Sequence, residues 1–154
     1  MSRSTGEWDA VLRPRLTPIF AYIAAFIIAT AGIVVGFLLN LRYTGAIIQP
    51  ADQIAVGALG VIIAGGILLL ALPRVRVGPA GIAVRNVVLE RLVPWNEVVD
   101  VSFPEGSRWA RVDIADYEYV PVLAIQAVDG ERAVEAMDTL RSLMVKYRPD
   151  LSRS

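Results

Sequence analysis

Two long stretches without a charged side chain occupy the first half of the sequence and decide what the rest can be. From Ile19 to Leu39 runs IFAYIAAFIIATAGIVVGFLL, 21 residues, and from Ile54 to Leu72 runs IAVGALGVIIAGGILLLAL, 19 residues. A helix rises about 1.5 Å per residue, so each run covers roughly 30 Å, the thickness of a hydrocarbon core. A chain of 154 residues has too little other mass to bury two such runs as core helices. The first run also fits a cleaved leader poorly, because it is longer than the usual leader core and no small-x-small site precedes a polar start. The expectation is a transmembrane helical hairpin, 19–39 and 54–72.

Composition agrees. Hydrophobic residues make up 55% of the chain and charged ones 19%, with mean hydropathy +0.54, and the excess lies in these two runs. With 15 basic and 15 acidic residues there is no bulk attraction to nucleic acid, and none is expected as a partner. Cysteine and histidine are both absent. Thiolate chemistry is therefore excluded, and the commonest general base and metal ligand are missing.

The flanks of the hairpin are basic. Arg3, Arg13 and Arg15 precede the first run and Arg74 and Arg76 follow the second, whereas the connection contains only Arg42. By the positive-inside rule, residues 1–18 and everything after residue 72 face the cytoplasm of a multi-pass protein in the inner (plasma) membrane. Within the runs, Gly32 and Gly36 form a GxxxG pair, and Gly60 and Ala64 belong to a small-residue series in the second; such faces let helices approach closely. Neither run holds an ionisable side chain, so an ion or proton path through the hairpin alone is not expected.

After Leu72 the periodicity shortens. RVRVGPAGIAVRN reads as strand, turn and strand, with Val75 and Val77 alternating with Arg74 and Arg76 and Gly78 to Gly81 supplying turn chemistry. Further strands are expected at 90–93, 98–103, 109–114 and from Tyr117 to Leu123, where Pro121 should mark an edge or a bend. Asp129 is placed to cap a helix over 130–147 whose apolar stripe is Ala133, Val134, Met137, Leu140, Leu143, Met144 and Tyr147. Its charged face is expected to be solvated. The division is thus an N-terminal segment 1–18, the hairpin, a domain 73–150 and a tail 151–154. Short strands followed by one terminal helix are the element order of a pleckstrin-homology-like (PH-like) barrel or sandwich, though the pattern leaves other small α+β folds open.

The residues also carry a resemblance. A two-span hairpin, then VRVGPAGIAVRN, LVPWNEVVDVSF, SRWARVDI and VPVLAI, is similar to the bacterial PH-domain membrane proteins common in actinobacteria, including those called low-molecular-weight protein antigens. Val93-Pro94-Trp95-Asn96-Glu97-Val98 is its sharpest element. The resemblance implies an α+β membrane protein with a PH-like split barrel capped by the C-terminal helix and held at the membrane. It implies no catalytic activity.

The candidate sites follow. Arg74 and Arg76 directly follow a span and are expected to touch lipid head groups; Arg85 and Arg91 lie nearby, but from Arg74 onward 11 basic residues face 12 acidic ones. Trp95 and Trp109 are expected in the core, and Trp8 is a weaker candidate for an interfacial anchor. Asp113, Asp116 and Glu118 form an acidic group beside Tyr117 and Tyr119, but match no calcium loop. No GxSxG, P-loop, dinucleotide fingerprint or HExxH occurs. The expected function is a non-enzymatic, cofactor-free module that is anchored in membrane lipid and binds a membrane or envelope protein, with lipid head-group binding as the alternative. The oligomeric state stays open.

Overall fold

The computed structural model describes residues 7–39 and 49–151. Residues 1–6, 40–48 and 152–154, Arg3 and Arg42 among them, lie outside the described residues. The chain forms two compact units, one of residues 7–16 and 72–151, the other of residues 17–71.

Two helices make up most of the second unit: α1 (Leu16–Leu38) and α2 (Pro50–Leu68), the latter extended by a 3-10 turn over Leu69–Ala71. Both begin before the charge-free runs do. Helix α2 starts early because Pro50 suits the first helical position and the Asp52 carboxylate accepts the Gln49 N–H at 3.0 Å. Both are long and apolar enough to cross a membrane. Their buried positions are all small: Ala21, Ala25 and Gly36 on α1, Gly60 and Ala64 on α2. Gly32 and Gly60 face one another so closely that a Cβ on either would lie 2.9 Å from the other's Cα, and one on Gly36 would lie 2.9 Å from the Gln53 carbonyl oxygen. The large side chains, among them Phe20, Phe26, Phe37, Ile54 and Ile62, are left exposed.

The first unit is a sandwich of two antiparallel sheets with a helix packed on it. One sheet has the order β1-β2-β3-β4, from β1 (Ala10–Leu12), β2 (Arg74–Gly78), β3 (Gly81–Arg85) and β4 (Glu90–Val93). The other is β5-β6-β7, from β5 (Val98–Ser102), β6 (Trp109–Ile114) and β7 (Tyr119–Gln126). Helix α3 (Glu131–Tyr147) follows. This is the arrangement that the resemblance implies. Alternation does the packing: Val75 and Val77 of β2, Ile82 and Val84 of β3, Val112 of β6 and Val122 of β7 point inward and join Leu140 and Met137 of α3 in one core. Pro121 sits in β7, an edge strand, where its missing N–H costs no ladder bond.

Strand β1 is the main addition to the sequence reading, which treats residues 1–18 as a plain segment. It pairs with β2 in the register Ala10↔Val77, Val11↔Arg76 and Leu12↔Val75. The two apolar helices therefore connect neighbouring strands of one sheet.

Three expectations need correction. Asp129 does not cap α3; Gly130 holds that position at φ 56, and the Asp129 carboxylate instead accepts the N–H groups of Arg15 and Leu16, the latter at 2.9 Å. It thereby satisfies donors at the start of α1, where a negative charge also meets the positive end of the helix dipole. Trp8 belongs to the sandwich, its ring lying 4.7 Å from the Arg76 guanidinium and beside Gly78. Trp109, the first residue of β6 and next to a bulge, is 39% exposed and not core. Val134 is exposed because the buried stripe of α3 is narrower than its apolar one. Trp95 is buried as expected, stacked on Tyr147 at 5.2 Å between ring centres, and its indole N–H donates to the Gly78 carbonyl at 2.8 Å.

Candidate functional site

The outward positions of β2, β3 and β4 build a cationic face. Period-2 alternation turns Arg74 and Arg76 away from the core, and the register sets Arg85 directly opposite Arg74. The one carboxylate among them is Glu90, which pairs with Arg74 at 3.8 Å and more closely with Arg76. The Nε groups of Arg74, Arg76 and Arg85 are shielded from solvent and meet no acceptor. Three guanidinium groups against one carboxylate leave two positive charges uncompensated, and guanidinium forks suit the oxygens of a carboxylate or phosphate. Arg91, paired with Val84, lies on the other side of the sheet.

Beside this face the β3–β4 loop, residues 86–89, carries Val88 and Leu89 with 64% and 83% of their surface exposed. The loop is fixed at its base, where the Asn86 side-chain oxygen accepts the Leu123 N–H at 3.2 Å. A cavity of about 520 Å³ opens below it, lined by Val84, Val87, Leu89, Tyr119, Val120 and Pro121 among others. The β6–β7 connection reaches the same region. Asp116 and Tyr117 there have φ of 64° and 61°, a left-handed conformation that side chains other than Gly, Asn and Asp seldom adopt. Tyr117 is fully exposed, so nothing packed around its ring accounts for the strain.

A second apolar groove, of about 300 Å³, runs along α3 between Phe103, Ala133, Val134 and Met137, with Asp138 and Arg141 at its rim. The acidic group of the sequence reading, Asp113, Asp116 and Glu118, lines one pocket with Tyr117 and Tyr119, where Asp113 accepts from the Ser102 hydroxyl at 2.7 Å and pairs with Arg111 at 2.9 Å. Among the described residues no three metal-ligating side chains converge.

Asp9 joins the N-terminal segment to the end of α3. Its carboxylate accepts the Tyr147 O–H and, at 2.9 Å, the Lys146 ammonium. The Tyr147 hydrogen bond, followed by that of Lys146, holds the Asp9 carboxyl below the ordinary carboxylate range, and its acceptance raises the Tyr147 phenol. A carboxyl lowered by folding contributes stability above its unfolded value and loses it as pH falls through the folded one. Asp9→Asn is thus expected to lower the urea midpoint at pH 7. At pH 3, below the ordinary carboxylate value of about 3.9, the gap from the wild type should narrow. A gap of equal size at both pH values would contradict this link.

Two packed antiparallel sheets closed by a C-terminal helix define a domain of the PH class. Residues 72–143 match the family described as bacterial PH domain, and the chain belongs to that family. Three relatives are each 59% identical over 151 residues, covering 98% of both chains: uncharacterized proteins of Mycobacterium bovis and of the CDC 1551 and H37Rv strains of Mycobacterium tuberculosis. No solved structure matches the chain significantly. PH domains are typically non-catalytic and bind proteins or lipids.

Of the residues singled out from sequence, Arg74 and Arg76 come together with Arg85 on the cationic face, and Gly32, Gly36, Gly60 and Ala64 lie along the α1–α2 contact. The Val88-Leu89 loop escapes sequence reasoning, and Tyr117 enters it only as a neighbour of the acidic group. A short apolar run that interrupts a turn was the available signal.

Proposed function

We propose that the protein is a non-enzymatic PH-type module, anchored in the cell membrane by α1 and α2, that docks a membrane or envelope protein at the inner face. The observation that carries the anchoring is the pairing of β1 with β2 on either side of the apolar helices. Paired strands must lie on one side of a bilayer, and a segment that leaves and returns to that side needs an even number of spans. Two bilayer-length helices satisfy this, and the exposed large side chains of both have lipid as their natural solvent. The basic flanks Arg13, Arg15, Arg74 and Arg76 support a cytoplasmic domain. For the partner, the groove along α3 offers the exposed apolar surface, rimmed by charge, that protein docking uses.

A second reading, lipid head-group binding, is favoured by the partly uncompensated Arg74, Arg76 and Arg85. Mild-detergent co-purification of the full-length protein tests the choice. Val134→Glu should reduce a co-purifying protein several-fold while Arg76→Gln leaves it unchanged. If instead Arg76→Gln alone matters, and binding of the reconstituted domain surface to anionic vesicles falls with salt, the lipid reading takes its place. Release of the full-length protein by alkaline carbonate would remove the anchor altogether.

A further inference from the structure

We propose that the cavity between residues 11–15 and α3 is a binding site for a phosphate group, held by Arg13, Arg15 and Arg132. The site lies on the flank of α3 opposite the Val134 groove and does not depend on what docks there.

The cavity, of about 260 Å³, has Val11 to Arg15 on one side, Ala124 and Ile125 of β7 at its back, and α3 from Arg132 to Thr139 on the other side. All of these residues belong to the sandwich unit. The backbone that carries the first two arginines is fixed. Pairing of Leu12 with Val75 sets where the chain leaves β1, Pro14 is buried, and the Asp129 carboxylate accepts the N–H groups of Arg15 and Leu16. Arg13 and Arg15, on either side of the buried proline, are exposed and border the same cavity. Arg132 reaches it from a segment more than a hundred residues away in sequence.

The three guanidinium groups lack partners. Arg74, Arg76, Arg111 and Arg148 each pair with a carboxylate, but among the described residues the side chains of Arg13, Arg15 and Arg132 form no salt bridge or hydrogen bond. Arg132 is moreover the second residue of α3, where the helix dipole disfavours a cation. Two carboxylates share the cavity. Asp129 is already engaged by backbone donors, so the three arginines face Glu135 with an excess of two positive charges. A phosphate monoester, with a charge of about −1.5 to −2 at pH 7, matches that excess better than a single carboxylate, and its oxygens accept from guanidinium forks. The volume falls just short of the roughly 300–1,000 Å³ of sites that enclose whole small molecules. It suits a phosphate head with little else. That head belongs either to a soluble phosphate ester or to a phospholipid, and the same side chains would hold both.

All three tryptophans lie in the sandwich unit, so their fluorescence reports its unfolding in the full-length protein. Thermal unfolding would be followed in phosphatidylcholine nanodiscs during titration with inorganic phosphate, at ionic strength held constant with sodium chloride. The expected result is a saturable rise in the unfolding temperature. Arg13→Gln and Arg132→Gln should each raise the half-saturating concentration at least fivefold, while Arg141→Gln, in the Val134 groove, leaves it unchanged. Repetition with phosphatidylglycerol in the nanodisc identifies the source. An unaltered phosphate response assigns the site to a soluble ester. A higher starting temperature that Arg132→Gln abolishes, with no further response to phosphate, assigns it to a lipid head group. A rise that is the same in all three variants as in the wild type is a general salt effect and overturns the proposal, as does the absence of a saturable response in both kinds of nanodisc.

Discussion

Joining residue 12 to residue 74 through a short Gly/Ser linker, with the apolar helices removed, should give a water-soluble domain that unfolds cooperatively. A chain that starts at Arg74 should be weaker by about 4 kcal/mol. The first version keeps β1, whose Leu12 packs against the core and whose backbone bonds continue through Asp9 N–H to the Val77 carbonyl at 2.8 Å. Partial burial of Leu12 contributes about 1.5 kcal/mol, and two or three backbone hydrogen bonds add about 1 kcal/mol each. The loss is a large share of the 5–15 kcal/mol typical of a domain. It also strips β2 to an open edge, inviting association between chains. Urea titrations followed by tryptophan fluorescence would compare the two, and equal midpoints would show that β1 is dispensable.

Gly81→Ala should cost about 4 kcal/mol, the sum of two strains. Gly81 has φ +136, and a Cβ there would stand 2.2 Å from the Val93 carbonyl oxygen. That oxygen belongs to backbone paired across β3 and β4, through Ile82↔Val93, and cannot move aside without opening the sheet. Gly106 is the natural control. It too has a positive φ, +75, but open space around its missing Cβ, so Gly106→Ala should lose only about 1 kcal/mol. Thermal unfolding of the two variants side by side would separate clash from conformation. A Gly81→Ala loss no greater than that of Gly106→Ala would mean that the close approach relaxes at little cost.

The two strains of Gly81 illustrate what sequence can and cannot carry. The turn was legible, because Gly-Pro-Ala-Gly between two runs of alternating valine admits few other readings. Its contact with Val93 was not, since that depends on a third strand. The same division holds elsewhere. The apolar helices are legible from composition alone, and β2, β3, β4 and β6 from alternation, because each carries its own signal within a few residues. Strand β1 has only Ala10, Val11 and Leu12, too few for a periodicity, and exists because β2 has an edge to offer. Asp129 shows a local preference overridden: its carboxylate suited the start of α3, but two backbone donors distant in sequence, at Arg15 and Leu16, took it. The cationic face was half visible, as Arg74 and Arg76 stand out after a span, while Arg85 and the counter-charge of Glu90 join them only through strand register.

Strand order in the first sheet also sets a schedule for biogenesis. Ala10 to Leu12 leave the ribosome before either apolar helix, and their partners Val75 to Val77 emerge only after both. In a chain whose helices cross a bilayer, the N-terminal segment must wait unpartnered until insertion is complete. A hairpin threaded only once would strand the two halves of the sheet in different compartments, and the domain could never close. Maturation of the sandwich would then report correct insertion, and quality-control proteases would have an unfolded chain to remove whenever the threading went wrong.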